Sequence, residues 1–207
     1  MMTDSFALLG QARSPWLDPD QLSEAFRTRS LTLHPDRIHE LSSAQKESAS
    51  HRYAELNAAY QCLREPRERL AHLLELEQGR RPDTLQSAPA EATELFFTVG
   101  QLCREVDQFL SERSRIESPL LKARSFEKSL ALTQCVRQFQ ESLAAQAGQL
   151  DAELRTLNDA WAAAPPVGST SRLRQLPLAR LEQLYRACSF LSRWRSQLQE
   201  RFVQLSM

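Results

Sequence analysis

The residues best equipped for chemistry are few and scattered. The histidines are His34, His39, His51 and His72, and the cysteines are Cys62, Cys103, Cys135 and Cys188. His34 and His39 lie close together, but His39 has no partner three or four residues away on a helix, so no metal site is expected. The cysteines lack paired metal-ligand spacing and have apolar neighbours at helical intervals. Reduced thiols buried in helices are the expectation. The chain carries no Gly-rich phosphate loop and no Ser, Cys and His arrangement for nucleophilic catalysis. The constellation that stands out is His34-Pro35-Asp36, within "SLTLHPDRIHE" at residues 30–40. There an imidazole and a carboxylate sit where a helical pattern breaks on a proline. The neutral ring can donate and accept hydrogen bonds and the carboxylate can accept them. Taken alone, Pro35 reads as a helix stop and Asp36 as a loop cap. The chain is expected not to be an enzyme and to need no cofactor.

The elements that must position this tripeptide are helices. Ala, Leu, Gln, Glu and Arg dominate, only five glycines occur and β-branched residues are sparse, so the fold class is all-α. Asp4 or Ser5 can cap a short helix carrying Phe6, Leu8 and Leu9, with Gly10 as its stop. Asp18 is a candidate N-cap with Pro19 at the first helical position, opening a helix whose Leu22, Phe26 and Leu33 share one face. A second long helix carries Ala49, Tyr53, Leu56, Tyr60 and Leu63 and ends before Pro66. A further helix presents Leu70, Leu73, Leu74 and Leu76 and stops at Gly79. Residues 79–90, "GRRPDTLQSAPA", read as a domain junction. Beyond it come a helix from Glu91 to about Leu110 and a long helix with Leu130, Val136, Phe139, Leu143, Leu150, Leu154 and Leu157 near a seven-residue beat. A Pro-rich loop follows, "AAAPPVGSTSRLRQLP", and then a last helix from about Leu178 to Leu205. Three long helices with apolar stripes suggest an antiparallel bundle.

The bulk numbers suit one or two small domains. The chain has 207 residues, 25% of them charged and 42% hydrophobic, with a formal net charge of zero. No positive excess is available to displace counterions from nucleic acid. No apolar run reaches the length of a membrane span, and "MMTDSFALLG" lacks the pattern of a secretory signal. A cytoplasmic protein with neither nucleic-acid nor membrane partners is expected.

His-Pro-Asp between two amphipathic helices, with "FALLG" before it and "YAELNAAYQCLREPRERLAHLLEL" after it, resembles a J-domain, the module that binds a heat-shock-type ATPase. The Leu-Asn-x-Ala-Tyr-x-x-Leu-x-x-Pro-x-x-Arg pattern from Leu56 to Arg69 resembles in particular the HscB-type (Jac-type) co-chaperones of iron–sulfur cluster assembly. The resemblance implies a J-domain over 1–78, a linker over 79–90 and a three-helix bundle over 91–207. It implies that His34, Pro35 and Asp36 contact a DnaK- or HscA-type chaperone, with Arg27, Arg29 and Arg37 offering positive charge to it. It implies that the bundle presents an IscU-type scaffold through an apolar patch, for which Phe96, Phe97, Val99, Leu102 and Phe190 are the candidates. Phe96 and Phe97 are adjacent, so one narrow helical stripe cannot bury both. Two features depart from the family: the double-proline loop, and Gly100, Cys103 and Arg104 where acidic residues are usual. Two other readings stay open: a J-protein with a different client, and a structural helical adaptor whose His-Pro-Asp is inert.

Overall fold

Helix boundaries follow from caps that the sequence carries locally. A computed structural model describes residues 3–33, 43–82 and 93–207. Helix α1, Ser5–Leu8, is capped by Asp4, whose carboxylate accepts from the backbone N–H groups of Phe6 and Ala7, satisfying two of the donors that a helix start leaves orphaned. Gly10 ends the turn in the left-handed region, and a Cβ there would run into the Arg29 guanidinium. Helix α2, Pro19–Leu33, starts on the predicted cap: Asp18 Oδ1 accepts from the N–H of Asp20 at 2.9 Å and of Gln21 at 3.1 Å. Helix α3, Ser43–Arg64, begins in the polar stretch, whose residues 44–48 are solvent-exposed. Ala, Gln, Lys and Glu sustain that turn without a core. Pro66 does more than stop α3, because it is the first residue of α4, Pro66–Gln78, where its missing N–H costs nothing. Gly79 closes α4 with φ +75°.

Two compact units emerge, and each draws on separated stretches of chain. The first holds residues 1–83 and 151–185, the second residues 84–150 and 186–207. In the first unit α3 packs against α1, α2 and α4. Phe6, Leu9, Leu22, Leu56, Leu63, Leu70, Leu73 and Leu74 are buried there. Phe26 of α2 stacks on Tyr60 of α3 with ring centroids 4.5 Å apart. Tyr53, counted in the apolar stripe of α3, is exposed instead.

The second unit is built on α5, Thr93–Arg113, with most of α6, Pro119–Ala162, and of α8, Leu178–Ser206. Its core joins Val99, Leu102, Val106 and Phe109 of α5 to Leu132, Val136 and Leu143 of α6 and Phe190, Leu191, Trp194, Leu198 and Leu205 of α8. One stripe residue is corrected. Leu130 is 62% exposed, and Leu132 takes the core position. Leu132 lies one helical turn before Val136, whereas Leu130 lies six residues before it, about 240° around the helix. Residues 151–162 of α6 and 178–185 of α8 belong to the first unit. So does α7, Arg172–Gln175, a single turn inside the stretch read from sequence as loop. The all-α class holds throughout the described residues.

Candidate functional site

The site is a helical hairpin and the polar contacts that brace it. In the sequence His34-Pro35-Asp36 follows directly on α2. The tripeptide and Arg37 lie outside the described residues. The two arginines predicted to flank it differ from one another. Arg27 is exposed and paired with Glu24 one turn back, at 2.8 Å, so its charge is largely offset on its own helix. Arg29 is half-buried, its guanidinium lying where any side chain at Gly10 would have to go.

The far ends of the hairpin are braced by groups that sequence reasoning did not single out for this task. Arg69 is buried and spends its guanidinium on main-chain carbonyls, donating to Pro15 O at 2.9 Å and Leu63 O at 2.8 Å. It thereby ties the loop before α2 to the end of α3. His72 is buried and accepts the Ser5 N–H on Nε2 at 3.0 Å, with its ring stacked on Phe6. Accepting on Nε2 requires the neutral ring. Burial pushes the His72 pKa below its ordinary value, against the opposing pull of Asp4 and Glu75, so the neutral form is the resident one. Asp4 is shifted down as well. Burial alone would raise it, but the Arg13 guanidinium and the Ala7 and Phe6 N–H groups outweigh that. The Arg13–Asp4 contact is 2.8 Å. Arg13 also lies 3.8 Å from Glu77, and Arg172 grips the same Glu77 carboxylate with two bonds of 2.8 and 2.9 Å.

The predicted client patch is mostly not a surface. Val99, Leu102 and Phe190 are buried in the core of the second unit. They sit on the inward faces of α5 and α8, where the apolar stripe continues unbroken. Phe190 and Leu191 are both buried although adjacent, because α8 meets neighbours over a wider arc than one stripe and Phe190 lies against Trp194 at 5.8 Å. Phe97 is 60% exposed. The side chain of Phe96 lies outside the described set. Among the thiols, Cys103 is buried and Cys62 and Cys188 are half-buried, but Cys135 is exposed, which corrects the expectation of four buried cysteines. It falls beside Val136 rather than on its stripe. Burial raises the Cys62 and Cys103 pKa values, which keeps both as thiols. Among the described residues no group of three or more His, Cys, Asp and Glu is arranged to hold a metal ion. No described helix is long and apolar enough to cross a membrane.

Comparison with known proteins bears on the same stretch. The family model of the DnaJ domain matches residues 4–72. The chain is 39% identical over 72 residues to the co-chaperone protein HscB homolog of Bordetella pertussis, covering 35% of this chain and 42% of that protein. It is 42% identical over 60 residues to the HscB homolog of Paraburkholderia phytofirmans, covering 29% and 34%. The chain thus spans less than half the length of these relatives. Chaperone HscB from Vibrio cholerae superimposes with a TM-score of 0.46 and 23% identity, covering 95% of this chain and 99% of that one. Helices α1, α2 and α3 and the first half of α4 lie within the residues that the family model matches. Residues 4–72 match the DnaJ domain, and the chain is similar over 60 to 72 residues to HscB homologs.

Proposed function

We propose that the chain is a co-chaperone that uses this J-domain to stimulate the ATPase of a DnaK- or HscA-type chaperone and its bundle to bring an IscU-type iron–sulfur scaffold to it. The observation that carries the reading is the DnaJ match over residues 4–72 with His34-Pro35-Asp36 in the sequence between α2 and α3. A J-protein makes and breaks no bonds. It binds the ATP state of its partner better than other states and so biases it toward hydrolysis, a differential-affinity effect. In this reading Asp36 accepts from a partner arginine, His34 contributes a neutral donor and acceptor, and Pro35 limits the backbone freedom lost on docking. Arg27, Arg29 and Arg37 supply the positive flank, with Arg27 weakened by Glu24.

The test is single-turnover ATP hydrolysis by such a chaperone with the wild-type protein and with His34→Gln, each with and without scaffold. Stimulation lost in the variant, and increased by scaffold, supports both halves. No stimulation under any condition overturns the reading in favour of an inert adaptor.

A second reading, a J-protein with a different client, is favoured by one specific observation: three of the five residues assigned to the scaffold patch are core residues. It predicts stimulation that responds to an unfolded polypeptide and ignores the scaffold. In the first reading Phe97 is the exposed anchor among the described residues, and Phe97→Ala lowers the scaffold response.

A further inference from the structure

The first unit contains a piece of chain that sequence order assigns to the bundle, residues 151–185. Two clasps fasten it to the J-domain. At the first, Trp16 is held on three sides. Its backbone N–H donates to Asn158 Oδ1 and its carbonyl accepts from Asn158 Nδ2, each at 2.9 Å. Its indole N–H donates to Asp151 Oδ1 at 2.9 Å. The Arg155 guanidinium lies 4.3 Å from the ring centroid and pairs with Asp151 at 3.0 Å. Asp151, Arg155 and Asn158 are spaced by four and three, so one face of α6 presents all of them.

At the second clasp Arg172 of α7 grips Glu77 of α4 with both arms of its fork, and the two side chains are 7% and 3% exposed. The third guanidinium nitrogen of Arg172, Nη1, donates to Pro165 O at 2.7 Å. The double-proline loop therefore shapes the grip. From Glu77 the alternating charges run on through Arg13 to Asp4, the cap of α1. One clasp thus holds the loop that enters α2, and the other holds the helix that leaves α3. A bidentate guanidinium–carboxylate pair fixes orientation as well as distance, and removing one partner strands a buried charge.

We infer that residues 151–185 are a discontiguous part of the J-domain, with Arg172 and Trp16 as positioning residues that hold α1 and α4 against the hairpin, so that chaperone stimulation requires this segment even when no client is present. The inference deepens the proposed function and rests on it for the chaperone, while its structural half stands alone.

The full-length protein is compared with Arg172→Met and Arg172→Lys by amide hydrogen exchange and by client-free single-turnover stimulation. Arg172→Met is expected to raise exchange at least fivefold at residues 5–8 and 66–78 while residues 93–150 keep the wild-type pattern, and to lower stimulation at least fivefold. Arg172→Lys, which keeps the charge but loses the fork, restores only part of both. Wild-type exchange at residues 5–8 and 66–78 in Arg172→Met overturns the inference, as does a rise spread equally over residues 93–150 or stimulation that stays at the wild-type level. If the wild-type protein itself gives no stimulation, the proposed function fails, and the exchange pattern decides the structural half.

Discussion

The two units bury different things. Among the described residues the first buries Ser5, Arg69, His72, Glu77 and Arg172 along with its leucines, while the second buries Ser129 as its polar residue and otherwise a run of Leu, Val, Phe and Trp. An apolar bundle core needs volume and periodicity, and many sequences meet that demand. A buried polar network tolerates little change, because each group depends on a particular partner. The first unit is thus fixed in shape by directional bonds that join stretches far apart in sequence. The bundle of the second unit is held by contacts that distinguish little between one apolar neighbour and another.

The sharpest test of that contrast is to cut one ion pair in each unit. Glu77→Ala leaves the Arg172 guanidinium buried without its carboxylate and is expected to cost about 3–5 kcal/mol. Asp107→Ala removes the partner of Arg201, a contact of 2.7 Å whose carboxylate is half-exposed, and is expected to cost less than about 1 kcal/mol. Urea titrations followed by far-UV circular dichroism measure both. Similar losses at the two sites would mean that burial of charge does not separate the units.

In the second unit the effect should follow volume. Leu132→Ala empties a core position and is expected to cost about 2–4 kcal/mol, while Leu130→Ala, two residues earlier but exposed, stays within about 0.5 kcal/mol. A pair of thermal melts decides it, and a larger loss at Leu130 would shift the packed face of α6.

These two leucines also mark what the sequence could reveal. Caps were legible because their signals are local: Asp4 before Phe6, Asp18 before Pro19 and Gly79 after α4 each act within one turn. The helical hairpin and its apolar face were legible for the same reason. Leu130 was misplaced because it stands six residues before Val136, one short of the seven-residue beat, which turns it away from the packed stripe of α6. Phe190 was assigned to the surface patch because periodicity counts stripes, not the number of neighbours a helix meets. The clasps were not legible at all. Glu77 and Arg172 are 95 residues apart, and Trp16 and Asn158 are 142 apart, and no local pattern links such partners. His72 in "AHLLEL" gives only a weak hint, a polar ring inside an apolar run.

His72 separates the units by pH. Its folded pKa lies below the ordinary 6.5 because burial disfavours the charged ring. The unfolded chain therefore takes up its proton first as pH falls. The stability tied to neutral His72 is complete above about pH 6.5 and drains away as pH drops through the depressed folded value. Protonation also turns the Nε2 acceptor into a donor facing the Ser5 N–H. Melting temperature should fall between pH 7.5 and 5 in the wild-type protein and fall less in His72→Gln. Amide exchange should report the acid-sensitive change at residues 5–8 before it reports any at residues 93–113. An acid response equal in the two proteins would assign the sensitivity to other groups.

The smallest effect is expected on the surface of the first unit, where directional bonding meets solvent. Arg27 and Glu24 are joined by bonds of 2.9 and 3.0 Å, yet both side chains are mostly exposed. Water and salt screen such a pair, and holding two long side chains in one geometry costs entropy. Glu24→Gln should change stability by about 0.5 kcal/mol or less. It nevertheless uncovers the Arg27 charge on the helix that leads to His34-Pro35-Asp36. If α2 offers a positive face to an acidic chaperone surface, Glu24→Gln should therefore raise the association rate, and the gain should shrink as salt rises from 50 to about 300 mM. An association rate that ignores both the substitution and the salt would remove Arg27 from the docking surface, while leaving the buried contacts of the J-domain as its distinguishing feature.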